Sequence, residues 1–85
     1  MSYKIAFKNS VAKDLRKIDA NKAKEILDKI ETELSKNAEK YPGLKGKFAG
    51  LRKFRVGDYR IIYSIINEQS VLILRIAHRK EVYRK

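Results

Sequence analysis

The stretch LRKFRVGDYRIIYSII, residues 51–66, together with NEQSVLILRIA, residues 67–77, decides the architecture. Leu51–Val56, Tyr59–Ile66 and Val71–Ala77 are rich in β-branched and aromatic residues and read as three strands. Gly57-Asp58 suits a two-residue type II′ hairpin turn, because glycine accepts the positive φ at the first central position. A short polar turn at Asn67–Ser70 leads to the third strand. The result is a three-stranded antiparallel meander.

The tight first turn also fixes a register. It pairs Val56 with Tyr59, Arg55 with Arg60, Phe54 with Ile61 and Lys53 with Ile62, and directly opposite side chains share a face. Phe54, Val56, Tyr59, Ile61 and Tyr63 then form an apolar face. Lys53, Arg55, Arg60 and Ile62 take the other. If Ile66 pairs with Val71, Arg75 lies opposite Ile62 and Ala77 opposite Arg60. Arg79 extends the same basic face, and Val71 and Ile73 also fall on it. Like charges placed directly opposite destabilise a sheet by up to about 1 kcal/mol per pair. A basic cluster on one sheet face therefore points to an anion that neutralises it.

Outward from the meander, Tyr3, Ile5 and Phe7 alternate with Lys4 and Ala6, the pattern of a short strand with one apolar face. Asn9 and Ser10 offer an N-cap to a first helix carrying Val11, Leu15 and Ile18 on one side. Asp19 is placed to cap a second helix, with Ala23, Ile26, Leu27, Ile30 and Leu34 as its apolar stripe and Glu25–Lys29 as an i,i+4 pair. Tyr41-Pro42-Gly43 ends that helix. The predicted class is α+β, within one domain spanning residues 1–85. An N-terminal strand and an antiparallel helix hairpin precede the meander, and the helices pack on one sheet face.

Composition narrows the function. The chain has 85 residues, with 21 Lys plus Arg against 10 Asp plus Glu and a formal charge of +11. Such a chain repels itself and attracts polyanions. From Leu51 onward the basic residues are Arg52, Lys53, Arg55, Arg60, Arg75, Arg79, Lys80, Arg84 and Lys85, opposed by Asp58, Glu68 and Glu81. Residues 44–50 form a basic, glycine-punctuated loop whose Lys45 and Lys47 are candidates for RNA contact, but it lacks phosphate-loop spacing. There is no cysteine, so disulfide and thiolate chemistry are excluded. The first residues lack the apolar run of a secretory signal, and no stretch reaches membrane-spanning length. A reducing cytoplasm is the expected setting, with no membrane partner. A single histidine, His78, makes no metal cluster, and no cofactor is expected.

Cleavage of RNA asks for little more than a basic site. The ribose 2′-OH is the nucleophile. The protein must take its proton, stabilise the phosphorane and protonate the departing 5′-oxygen. Repulsion among cations favours a neutral amine, so a lysine set among arginines is a candidate base. Guanidiniums suit the equatorial phosphate oxygens. His78 or Arg79 can serve the leaving group, and Tyr83 can stack on a base or orient a phosphate. Simpler roles stand beside these. Lys53 suits a phosphate anchor, His78 a packed or turn position on the face opposite Arg79, and Tyr83 a pin for the tail.

Residues 51–63, with Arg-Val-Gly-Asp-Tyr-Arg at 55–60, and residues 76–84, with His-Arg-Lys-Glu-Val-Tyr at 78–83, resemble the RelE/ParE toxin superfamily, in particular its RelE-type mRNA interferases. Lys13-Asp14-Leu15-Arg16-Lys17-Ile18 also fits the family's first helix. The resemblance implies a RelE-like fold and a toxin that cuts messenger RNA in the ribosomal A site without metal. It implies a RelB-like antitoxin that neutralises it, with operator DNA reached only through that antitoxin. By position, Lys53 matches a catalytic lysine, Arg60 the transition-state arginine, Arg79 the arginine near the leaving group and Tyr83 the C-terminal tyrosine. Arg55 matches a basic position beside the site. Arg79 and Tyr83 are closer together than in some members, and Leu51 stands where some carry a second lysine. The ParE branch of the superfamily implies the other reading, inhibition of DNA gyrase by protein–protein contact.

Overall fold

The computed structural model describes residues 2–44, 46 and 50–78. Strand β1 (Lys4–Phe7) leads to helix α1 (Asn9–Arg16) and helix α2 (Ala20–Lys29). Strands β2 (Arg52–Val56), β3 (Tyr59–Asn67) and β4 (Ser70–His78) follow. The meander forms as expected, with each strand end within one residue of its predicted place. Gly57 has φ 58°, as a type II′ turn requires, and among the described residues no non-glycine residue has a positive φ. The first hairpin register is the expected one, from Val56 opposite Tyr59 to Lys53 opposite Ile62.

β1 pairs in parallel with β4, from Lys4 opposite Ser70 to Phe7 opposite Ile73, giving a mixed sheet in the order β1-β4-β3-β2. The helices bury one face of it. Val11, Ile26, Ile30 and Leu34 meet Phe54, Val56, Ile61, Tyr63, Val71, Ile73 and Ile76 in one core. Tyr3 and Ile5 pack against this core, but Phe7 at the strand end remains 44 % exposed.

Two expectations are corrected. The residue before α1 is Lys8, which makes no side-chain cap; its carbonyl accepts from the Val11 N–H at 2.9 Å, and Asn9 is already helical. The second hairpin has Ile65, not Ile66, opposite Val71. The register shifts between Ile62–Arg75 and Tyr63–Ile73, leaving Leu74 as an extra residue on β4. This bulge turns Val71 and Ile73 into the helix-side core and brings Leu72 to the basic face, while Arg75 and Ala77 keep their predicted partners.

Asp19 does cap α2, its side chain accepting from the Asn21 N–H at 3.2 Å. Past Lys29 the helix runs on through a π-helical turn, Ile30–Leu34, a turn of α-helix, Ser35–Asn37, and a 3-10 turn, Ala38–Lys40. The sequence explains the widening. Ile26, Ile30, Leu34 and Ala38 are all fully buried at a strict spacing of four. In an α-helix that spacing drifts about 40° per step, and one wider turn brings the stripe back to the core. Thr32 Oγ1 donates to the Asp28 carbonyl at 2.9 Å, Asn37 Nδ2 to Glu33 at 3.2 Å, and Ser35 Oγ to Glu31. The sheet pins the helix end from the other side. Buried Tyr63 donates to the Ala38 carbonyl at 2.5 Å, and Arg52 Nη1 donates to the carbonyls of Tyr41 at 2.8 Å and Glu39 at 3.2 Å.

Candidate nucleic-acid interface

The sheet face away from the helices carries the basic residues in two adjacent cross-strand rows. One row is Lys53, Ile62 and Arg75; the next is Arg55, Arg60 and Ala77. Side chains directly opposite have Cβ atoms about 4.5–5.5 Å apart, so four cations fall within one patch. Arg55 and Arg75 are exposed, and Lys53 and Arg60 half-buried. Arg55 Nε donates to the Gly57 carbonyl at 3.0 Å, which holds its stem along the turn.

The helix lysines behave differently. Lys22 meets Glu25 at 3.2 Å and Lys29 meets Glu33 at 2.8 Å, while the expected Glu25–Lys29 pair is replaced by these two. The Glu33 carboxylate holds the Lys29 ammonium above its ordinary pKa. These are solvated helix faces of the ordinary kind.

His78 is set apart from the patch. It lies opposite Tyr59 on the helix side of the sheet, with the rings edge to face at 5.6 Å and 80°. Asp14, Lys17 and Ile18 border the same corner. Lys45, Lys47, Arg79 and Tyr83 lie outside the described residues.

Sequence reading missed two supports of this face. β1 ends at Phe7, opposite Ile73, so β4 continues beyond it with an open edge. There Asp14 on α1 accepts from the Ile76 N–H at 3.0 Å and ties the helix to the strand that carries Arg75. A lone aspartate in a helix gives no sign of such a role until strand pairing is known. The second support is a short ladder outside β2. Gly43 bridges Arg52, Lys53 N–H donates to Pro42 at 3.1 Å, and Leu44 N–H donates to Leu51 at 2.9 Å.

A helix pair on a four-stranded mixed sheet whose open face is cationic matches a known class of small toxins. The family model of the ParE toxin of type II toxin–antitoxin systems matches residues 5–83, and the chain belongs to that family. It is 30 % identical over 87 residues to toxin RelG of Mycobacterium tuberculosis, with both chains fully covered. Its fold superimposes on the toxin–antitoxin complex RelBE2 of M. tuberculosis with a TM-score of 0.87, at 28 % identity and 95 % coverage of each chain. A double mutant of the E. coli toxin RelE in its free state matches with a TM-score of 0.76 over 96 % of this chain and 88 % of that one, at 18 % identity, a likeness of fold. The chain is thus a toxin of a type II system with the RelE-like α+β fold.

Proposed function

We propose that this toxin is a ribosome-dependent endoribonuclease that cuts messenger RNA by attack of a ribose 2′-OH on the adjacent phosphodiester. The observation that carries the reading is the pair of rows Lys53–Ile62–Arg75 and Arg55–Arg60–Ala77, which gathers cations on an open face. Lys53 takes the 2′-OH proton, and O2′ then attacks phosphorus. Arg60 stabilises the charge on the equatorial oxygens. The 5′-oxygen, steadied by Arg79, leaves with a proton from water, giving a 2′,3′-cyclic phosphate and a 5′-hydroxyl, and the proton held by Lys53 passes back to the hydroxide left behind. Tyr83 orients the substrate. Arg55 and Arg75 hold flanking phosphates, joined by Lys45 and Lys47. His78, on the other side of the sheet, fits an RNA contact at the sheet's end less well than packing against Tyr59. The reaction draws its nucleophile from the substrate and needs no cofactor.

The partner that restrains it is a RelB-like antitoxin, a reading supported by the likeness to a toxin–antitoxin complex. The proposed setting is the cytoplasm, where ribosomes and mRNA are found. Among the described residues no helix is long and apolar enough to cross a membrane.

A second reading is inhibition of DNA gyrase without RNA cleavage, favoured by the match to a ParE toxin family model. Induced expression separates the two. Arg60→Ala relieves growth arrest under the ribonuclease reading, and purified wild-type protein leaves gyrase supercoiling unaffected. Arrest undiminished in Arg60→Ala, with supercoiling blocked, selects the gyrase reading.

A further inference from the structure

Inside the basic patch lies a second, smaller apolar cluster. Ile62 and Ala77 are only 7 % and 6 % exposed, although the helices pack on the other face. Leu44 and Leu51 cover them. The ladder outside β2 brings these two leucines together through the Leu44 N–H bond to the Leu51 carbonyl.

The placement of the cluster is specific. Ile62 sits directly between Lys53 on β2 and Arg75 on β4, and Ala77 sits directly opposite Arg60. Arg60 thus has Ala77 beside it and Ile62 two residues along on the same face. Its Nε is buried, on a face where Arg55 and Arg75 are exposed. An arginine free in solvent has side-chain entropy to lose when it grips a phosphate. Fixing it during folding removes that loss from the reaction. An apolar wall also keeps water away and strengthens each cation–phosphate contact.

We propose that Leu51 and Ile62, with Leu44 and Ala77, form an apolar brace that positions Arg60 and Lys53, which makes Leu51 a positioning residue of the site. The proposal rests on the ribonuclease reading above. It assigns the leucine a part in the reaction without any contact with RNA.

Two measurements test it. In the isolated wild-type protein, the side-chain Nε–H of Arg60, followed by nitrogen-15 NMR, exchanges with water about tenfold more slowly than that of exposed Arg75. Leu51→Asn abolishes the difference. On mRNA held in programmed ribosomes, Leu51→Asn lowers the saturated cleavage rate by about 10–100-fold, with the half-saturating ribosome concentration little changed. Leu51→Met restores most of the lost rate, and backbone amide protection in the helix-side core is the same in all three proteins. An Arg60 that exchanges as fast as Arg75 in the wild type overturns the brace, as does a Leu51→Asn protein that cuts at the wild-type rate. A wild type that cuts no programmed mRNA instead removes the reaction on which the brace depends. The exchange measurement still shows whether the cluster holds Arg60.

Discussion

Tyr63 shows how much a single side chain can carry. It is fully buried, and its hydroxyl donates to the Ala38 carbonyl at the end of the long helix. Burial pushes its pKa far above the ordinary phenol value near 10. Tyr3 and Tyr41 are raised too, each mainly by burial. A folded pKa above the unfolded one means that this stability is fully present below about pH 10 and is lost as pH rises further. Denaturant titrations should therefore give a flat stability up to about pH 10 and a decline beyond it. Tyr63→Phe should be less stable at neutral pH by about 1 kcal/mol, because the Ala38 carbonyl loses its donor, and should decline less steeply above pH 10. An alkaline decline as steep as the wild type's would place the effect elsewhere. Arg60 is the corresponding residue for function. Its loss should cost about 10²–10³-fold in cleavage, the usual range for removing one donor to a developing charge.

At the scale of elements, the first hairpin was legible because a two-residue turn leaves one register open. Glycine at 57 then places Lys53, Arg55 and Arg60 on one face. Gly57→Ala should destabilise the protein by about 1–2 kcal/mol in a thermal melt, since alanine resists positive φ. The second hairpin was less legible. Val71-Leu72-Ile73-Leu74 is apolar throughout, so no alternation of polar and apolar residues marks the extra residue at Leu74. The ladder of residues 42–44 on β2 was hidden because Pro-Gly reads only as a chain break. The bond from Asp14 to β4 was hidden because it joins residues 62 apart in sequence. Asp14→Ala should lower stability by about 1 kcal/mol by leaving the Ile76 N–H without its acceptor, and Asp14→Asn should recover much of it. Equal melting temperatures for Asp14→Ala and wild type would count against the tie.

At the scale of the whole molecule, a charge of +11 on 85 residues is divided between two kinds of surface. On α2, carboxylates three or four residues along meet lysines. On the open sheet face, cations stand in adjacent rows. That division supports a face awaiting an anion rather than general solubility. RNA binding should weaken with salt, and Arg75→Ala should reduce the slope of log affinity against log salt by about 0.7 while leaving the fold intact. An antitoxin that binds only the folded toxin should raise its stability by about 2.7 kcal/mol at a hundredfold excess over its Kd, read as a shift in thermal unfolding. The most direct test of the central claim is primer extension on a reporter mRNA in a cell-free translation reaction containing wild-type or Arg60→Ala protein. The account predicts cuts spaced by codons with the wild type and none with Arg60→Ala. Intact mRNA with the wild type, or the same cuts with both proteins, would contradict it.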